Sequence, residues 1–380
     1  MNRPFPDTAD APGGGEPIGG AGEDSRKLTV YFGERSPSGS GGYLANDLME
    51  LFGRHRIATS ILLRGMEGFG IRHHLRTDQS LSLSEDPPLV AVAVDTTDRI
   101  GPLLDDVDRL RLRGLVTVER ARLLRGELGP IALPEELHEA TKLTVYVGRQ
   151  DRVEHLPAYL AVCDLLHRRG LAGASVFLGV DGTSHGRRER ARFFDRNADV
   201  PTMIIAVGSG ERVAAVLPEL GMLLGRPMLT VERVRVCKRD GVLLERPHAL
   251  PGIDSDGLAL WQKVMVYTSE STLYHGDPVH RSLIRALRST GAARGATALR
   301  GVWGFHGGHP PHGDRFLQLR RRVPVTTVIV DDPTRIEAAF DLVDEITADH
   351  GLVTSEMVPA LLSAQPGSRR GGFRLARHDY

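Results

Sequence analysis

The chain has 380 residues, 41% apolar and 25% charged, the composition of an ordinary soluble globular protein with about two to four domains. Its 48 Lys and Arg balance 48 Asp and Glu, and 5% of residues are aromatic. That argues against a nucleic-acid or anionic-membrane surface, and base stacking lacks the aromatics it needs. Two cysteines, Cys163 and Cys237, cannot make a disulfide framework, and no CxxC occurs. The longest apolar runs have about six residues, against about 20 for a membrane helix. The N-terminus carries no apolar signal core. A reducing, cytoplasmic setting without membrane insertion is expected.

Residues 1–26 are rich in Gly, Pro and acidic residues and are expected to be disordered. The first predicted strand begins at Lys27 with KLTVYFGE. Leu44, Leu48 and Leu51 recur at helical spacing and predict a helix. TSILL (59–63) is the second strand, and a long Gly/Arg/His-rich loop is expected over 65–87. LVAVAV (89–94) is the third strand. Ile100, Leu103, Leu104, Val107 and Leu110 mark a second helix, and LVTVE (115–119) the fourth strand.

The same order then recurs twice. KLTVYVGR begins at Lys142 and KVMVYTSE at Lys263. IATSILLRG (57–65) answers LAGASVFLG (171–179) and ARGATALRG (293–301). PLVAVAVD (88–95) answers PTMIIAVG (201–208) and PVTTVIVD (324–331), and LVTVE answers MLTVE (228–232) and LVTSE (352–356). Units of about 95 residues exceed solenoid repeats and suffice for a small domain with its own core. The reading is an α+β chain of three tandem ferredoxin-like (βαββαβ) domains. Repeat 1 spans 27–124, repeat 2 142–237 and repeat 3 263–363, with linkers at 125–141 and 238–262. Residues 364–380 read as a basic, flexible tail. Each repeat's sheet has one face on its helices and one face free. Turning the three free faces to a common axis gives a single-chain pseudo-trimer, and repeats strung as separate beads are the alternative.

In repeat 1, Tyr31-x-Gly33-Glu34 follows strand one. Arg64-Gly65-x-Glu67-Gly68-Phe69-Gly70 follows strand two, and Leu83-Ser84-Glu85-Asp86-x-Pro88 enters strand three. In these motifs the chain resembles the PII-like "domain of unknown function 190" family. Repeat 3 keeps Arg300-Gly301 and Gly304-Phe305 but has Trp303 in place of Glu67. Repeat 2 keeps Gly179, Asp181 and Gly182 but has Leu178 for the Arg and Thr183 for the Phe. The resemblance implies a trimeric ferredoxin-like fold and kinship to PII signalling proteins. Those bind nucleotides or small anions in clefts between subunits and report through a flexible loop after strand two.

The expected ligand-binding residues are Arg64, Gly65, Glu67, Gly68, Phe69 and Gly70, with Arg300, Gly301, Gly304 and Phe305. The arginines would neutralise an anion, the glycines would present N–H groups to it, and the phenylalanines would stack. The plainer alternative is a tight turn with a surface Arg. His306, His309 and His312, with His73 and His74, offer imidazoles for a metal, as in trimeric CutA proteins. Solvated loop histidines are the bland alternative, and no metal site is assigned. The loops carry Arg72, Arg76, Arg187, Arg188, Arg190, Arg192, Arg315 and Arg320 to Arg322, a candidate docking surface for an acidic partner protein.

No G-x-S-x-G, HExxH, GxxxxGK[ST] or strand-linked GxGxxG occurs, nor the aromatic strand of an RNA-recognition domain. The expected function is a non-enzymatic PII-like regulator. It would bind a small anion, an adenine nucleotide as candidate, and signal to a partner protein. A metal-binding protein and a ligand-independent adaptor are the alternatives.

Overall fold

A computed structural model describes residues 22–378, except 40, 72, 78–85, 111, 131–132, 134–136, 138–139, 191–199, 307–310 and 314–322. The expected disorder of 1–21 lies outside the described residues. So do Arg72, Leu83 to Glu85, Arg192, His309, Arg315 and Arg320 to Arg322.

Alternation along KLTVY decides what each face meets. Leu28 and Val30 point to the helices, and Lys27, Thr29 and Tyr31 point the other way. Repeat 1 has strand one Glu23–Gly33, helix one Leu44–Arg54, strand two Thr59–Phe69, strand three Pro88–Thr96, helix two Thr97–Arg109 and strand four Gly114–Arg125. The corresponding elements of repeat 2 are Thr141–Gly148, Ala158–Arg168, Gly173–Leu178, Pro201–Gly208, Gly210–Leu224 and Met228–Arg233. Those of repeat 3 are Trp261–Ser269, Val279–Thr290, Ala296–Arg300, Pro324–Asp331, Pro333–Ile346 and Leu352–Val358. Every repeat orders its strands four-one-three-two, all antiparallel. Strand one of repeat 1 starts earlier than expected, because Ser25 and Arg26 already pair with Thr96 and Asp95.

Each repeat buries its helices on one face of its own sheet, giving three separate cores. The other faces share a fourth. Leu63 and Val92 of repeat 1, Phe177 and Met203 of repeat 2, and Met265 and Val328 of repeat 3 belong to one buried cluster. Strand four continues into the next repeat. Arg122–Arg125 pair with Met228–Val231, Arg235–Arg239 with Leu352–Ser355, and Ala360–Ala364 with Gly114–Val118. The last pairing returns to repeat 1, so the series closes, and among the described residues 21 strands form one hydrogen-bonded network.

The tail is docked, contrary to the flexible reading. Ala360–Gln365 and Ser368–Gly371 form a hairpin. Phe373 and Leu375 pack on the core of repeat 1, and Ala376 is fully buried. The Ala376 N–H donates to the Pro359 carbonyl at 2.8 Å, and the Arg377 N–H to Asp254 at 2.8 Å. Apolar residues between the arginines outweigh the charge that suggested solvation.

Where the three sheets meet, six buried charges form a ring. Lys27 contacts Glu119 of its own repeat at 2.9 Å and also Glu232 of repeat 2. Lys142 contacts its own Glu232 at 3.1 Å and Glu356 of repeat 3 at 2.5 Å. Lys263 contacts its own Glu356 at 3.2 Å and Glu119 of repeat 1 at 2.5 Å. Burial pushes the Glu119 carboxyl up, but Lys263 and Lys27 hold it well below the usual carboxylate range. Glu232 is likewise held low, by Lys142 and Lys27 against burial.

Removing one partner leaves a buried charge uncompensated, which costs about 3–5 kcal/mol. Lys263→Met is therefore expected to lower the unfolding free energy measured in urea by that much, and a surface control such as Arg149→Met to leave it nearly unchanged. Depressed carboxyl pKa values stabilise the fold above the unfolded value and lose that contribution as pH falls through the folded one. Urea midpoints should therefore fall steeply as pH drops below about 4.3.

Candidate functional site

The Arg64–Gly70 segment begins as a continuation of strand two, not as a loop. Strand two of repeat 1 pairs with strand three as far as Arg64. It then crosses to repeat 3, where Gly65–Phe69 pair with Ala296–Leu299. Repeat 2 sends Asp181–Ser184 to Thr59–Leu62 of repeat 1, and repeat 3 sends Trp303–His306 to Gly173–Val176 of repeat 2. The expected long loops therefore open as paired strands. Gly65, Gly68 and Gly304, expected to present their N–H groups to an anion, lie in a β ladder, and Gly70 and Gly301 stand just outside it.

Crowding accounts for the glycines. A Cβ at Gly68 would stand 2.7 Å from the Ala296 carbonyl oxygen, and one at Gly304 2.2 Å from that of Ala174. Gly182 repeats the relation against Ser60 at 2.1 Å. Gly65 and Gly301 lie against Pro88 and Pro324, at 2.8 and 2.7 Å from the would-be Cβ. Strand alternation sends Phe69 into the helix-side core of repeat 3 and buries Phe305 in that of repeat 2, so neither ring is an open stacking platform. Phe69 stacks on His73 at 5.5 Å, and Phe305 meets His167 edge-on at 5.0 Å.

The two arginines are paired within their own repeats. Arg64 reaches Glu34 at 3.1 Å and Arg300 reaches Glu270 at 2.8 Å. Repeat 2 has changed both positions together, to Arg149 and Leu178. Glu67 is buried across the junction, 4.0 Å from Arg281 of repeat 3. At the matching place in repeat 2, Asp181 pairs with Arg188 at 2.7 Å.

Beside the repeat 1 junction lies a cleft of about 760 Å³ between repeats 1 and 3. Gly68, Phe69 and Gly70 line it, whereas Arg64, Gly65 and Glu67 do not. Its charge comes from Arg35, Arg76, Arg113, Arg294 and Arg370, against Asp86 and Asp331. Asp86 accepts the Arg35 N–H at 2.7 Å and pairs with Arg76 at 2.9 Å, tying two walls together. Arg294 pairs with Asp331 at 2.6 Å and Asp332 at 2.8 Å. Arg370, on the C-terminal hairpin, lies 4.8 Å over the Trp261 ring. No motif in the sequence singles out Arg35, Arg113 or Arg294, and Arg370 reads there only as part of a basic tail. Repeat comparison could have flagged Arg294, which stands where the other copies have Ala58 and Ala172.

The family model of DUF190, described as "Uncharacterized ACR, COG1993", matches residues 25–123, 140–236 and 261–360. The chain belongs to the DUF190 family. A "UPF0166 protein" of Aquifex aeolicus (strain VF5) is similar to it, 29% identical over 97 residues, or 25% of this chain and 89% of that relative. One repeat of this DUF190 chain thus spans nearly the whole relative.

Among the described residues of the DUF190 chain, Glu119, Glu232 and Glu356 alone cluster closely enough to ligate a metal, and three ammoniums already neutralise them. His306 and His312 face each other across a hairpin with rings 6.4 Å apart. Cys163 and Cys237 are buried, and burial pushes the Cys237 thiol up to about 12. No described helix is long and apolar enough to cross a membrane.

Overpacking at such a contact costs about 1–3 kcal/mol. Gly304→Ala is expected to lower the urea midpoint accordingly. Gly70→Ala, whose Cβ would meet nothing within 4 Å, should not.

Proposed function

We propose that the chain is a single-chain pseudo-trimer of ferredoxin-like repeats. On this reading it is a non-enzymatic PII-like regulator that binds a small anionic ligand, an adenine nucleotide as candidate, between repeats 1 and 3. The observation that carries the reading is the arginine-lined cleft, with five guanidiniums against two carboxylates around about 760 Å³. That volume lies within the usual range for a small-molecule site of about 300–1,000 Å³. Guanidiniums suit phosphate oxygens through their paired donors. Gly68, Phe69 and Gly70 contribute wall in this reading. Arg64, Gly65 and Glu67 lie at the junction beside it, whereas Arg300, Gly301, Gly304 and Phe305 belong to the junction of repeats 3 and 2 and take no part in this cleft.

Occupancy reaches a partner protein by a shift in the segments that border the cleft. His74 and Arg76, on the stretch after strand two, line it directly. A ligand that pairs with these groups stabilises one arrangement of that stretch over others. The partner reads the difference.

A thermal-shift series with ATP, ADP, AMP, sulfate and divalent metals, with and without chelator, tests the reading. A ligand at 100 times its dissociation constant stabilises by about 2.7 kcal/mol. A nucleotide shift is expected that shrinks with added salt and is lost in Arg35→Ala/Arg113→Ala. Indifference to every anion, with a chelator-sensitive metal shift, would overturn it in favour of the loop histidines.

A further inference from the structure

The three repeats differ at positions that line the cleft between repeats 1 and 3. Arg35 follows strand one of repeat 1, and its counterparts are Gln150 and Ser271. Arg294, before strand two of repeat 3, is replaced by Ala58 and Ala172. Trp261, which opens strand one of repeat 3, is replaced by Ser25 and Ala140. Each of the three lines the cleft between repeats 1 and 3. All are therefore missing together from the matching positions of the other two clefts.

The cleft between repeats 2 and 1 shows the consequence. Its volume is about 340 Å³, and its charge comes from Arg152 and Arg226 beside Asp151. Repeat 1 reaches it only through Thr59 at the start of strand two. Repeat 3 instead gives its cleft a further wall, the C-terminal hairpin over 360–371. Gln365, Ser368 and Arg370 of that hairpin face the cleft. Arg370 sits above Trp261 and 3.9 Å from Asp332, an exposed and weakly held pairing that a ligand phosphate can replace.

We infer that this chain binds one nucleoside polyphosphate, not three, with Arg35, Arg294 and Arg370 as its specificity-determining residues. The inference rests on the anion-binding reading above and narrows it in ligand class and stoichiometry. The cleft has three more guanidiniums than carboxylates among its lining residues, which suits the charge of a di- or triphosphate better than that of a monoanion. Arg370 selects because it enters from the hairpin that follows the third repeat and lines this cleft.

Isothermal titration of the full chain with ATP and with AMP, at one fixed ionic strength, is the test. One ATP per chain is expected, with AMP at least tenfold weaker. Arg35→Ala and Arg370→Ala should each weaken ATP about tenfold or more at an unchanged urea midpoint. Arg226→Ala, in the smaller cleft, should leave the affinity unchanged. Two or three ATP per chain, equal affinity for AMP, or full affinity in Arg370→Ala would overturn the inference and leave anion binding standing. Absence of binding by both ATP and AMP would overturn the inference, and anion binding would then stand or fall by the thermal-shift series.

Discussion

Six charges at the centre of the molecule set its arrangement. Each repeat brings one lysine on strand one and one glutamate on strand four, and each lysine bridges its own glutamate and that of the next repeat. Buried ion pairs contribute little net stability relative to apolar packing, because desolvation offsets the attraction. Their effect here is on specificity. A repeat docked out of register would leave a lysine and a glutamate buried without partners. Shared strands reinforce the same order, since strand-four continuations run from each repeat to the next and strand-two continuations run the opposite way.

Three repeats in one chain need not make identical junctions. The position held by Glu67 in repeat 1 is Asp181 in repeat 2 and Trp303 in repeat 3. Glu67 approaches Arg281 across the junction, Asp181 pairs with Arg188 in its own hairpin, and Trp303 packs against the core of repeat 2. The clefts have diverged in the same way. Charge and aromatic surface collect between repeats 1 and 3, where the C-terminal hairpin adds a wall.

The repeats and their strand order were legible in the sequence, because apolar alternation and helical spacing act within about ten residues of chain. So was the motif carrying the family resemblance, though its role was not. Glycines that permit a close approach to a neighbouring strand look the same as glycines that cradle an anion. Only the partner, Ala296 or Ala174, distinguishes them. Lys27, Lys142 and Lys263 are three of the four lysines in the chain, and each opens a first strand. That was a signal for the ring, but its glutamates lie about 90 residues away from them. The cleft was hidden for the same reason, since it draws on strand ends about 260 residues apart and on a tail that reads as solvated.

Hydrogen exchange of the full chain with and without ATP reports where a ligand acts. Added protection is expected in 31–37, 68–76, 294–297 and 361–370, with the segments around Tyr146 and His185 unchanged. Protection spread equally over the three junctions, or confined to segments outside the cleft between repeats 1 and 3, would contradict a site there.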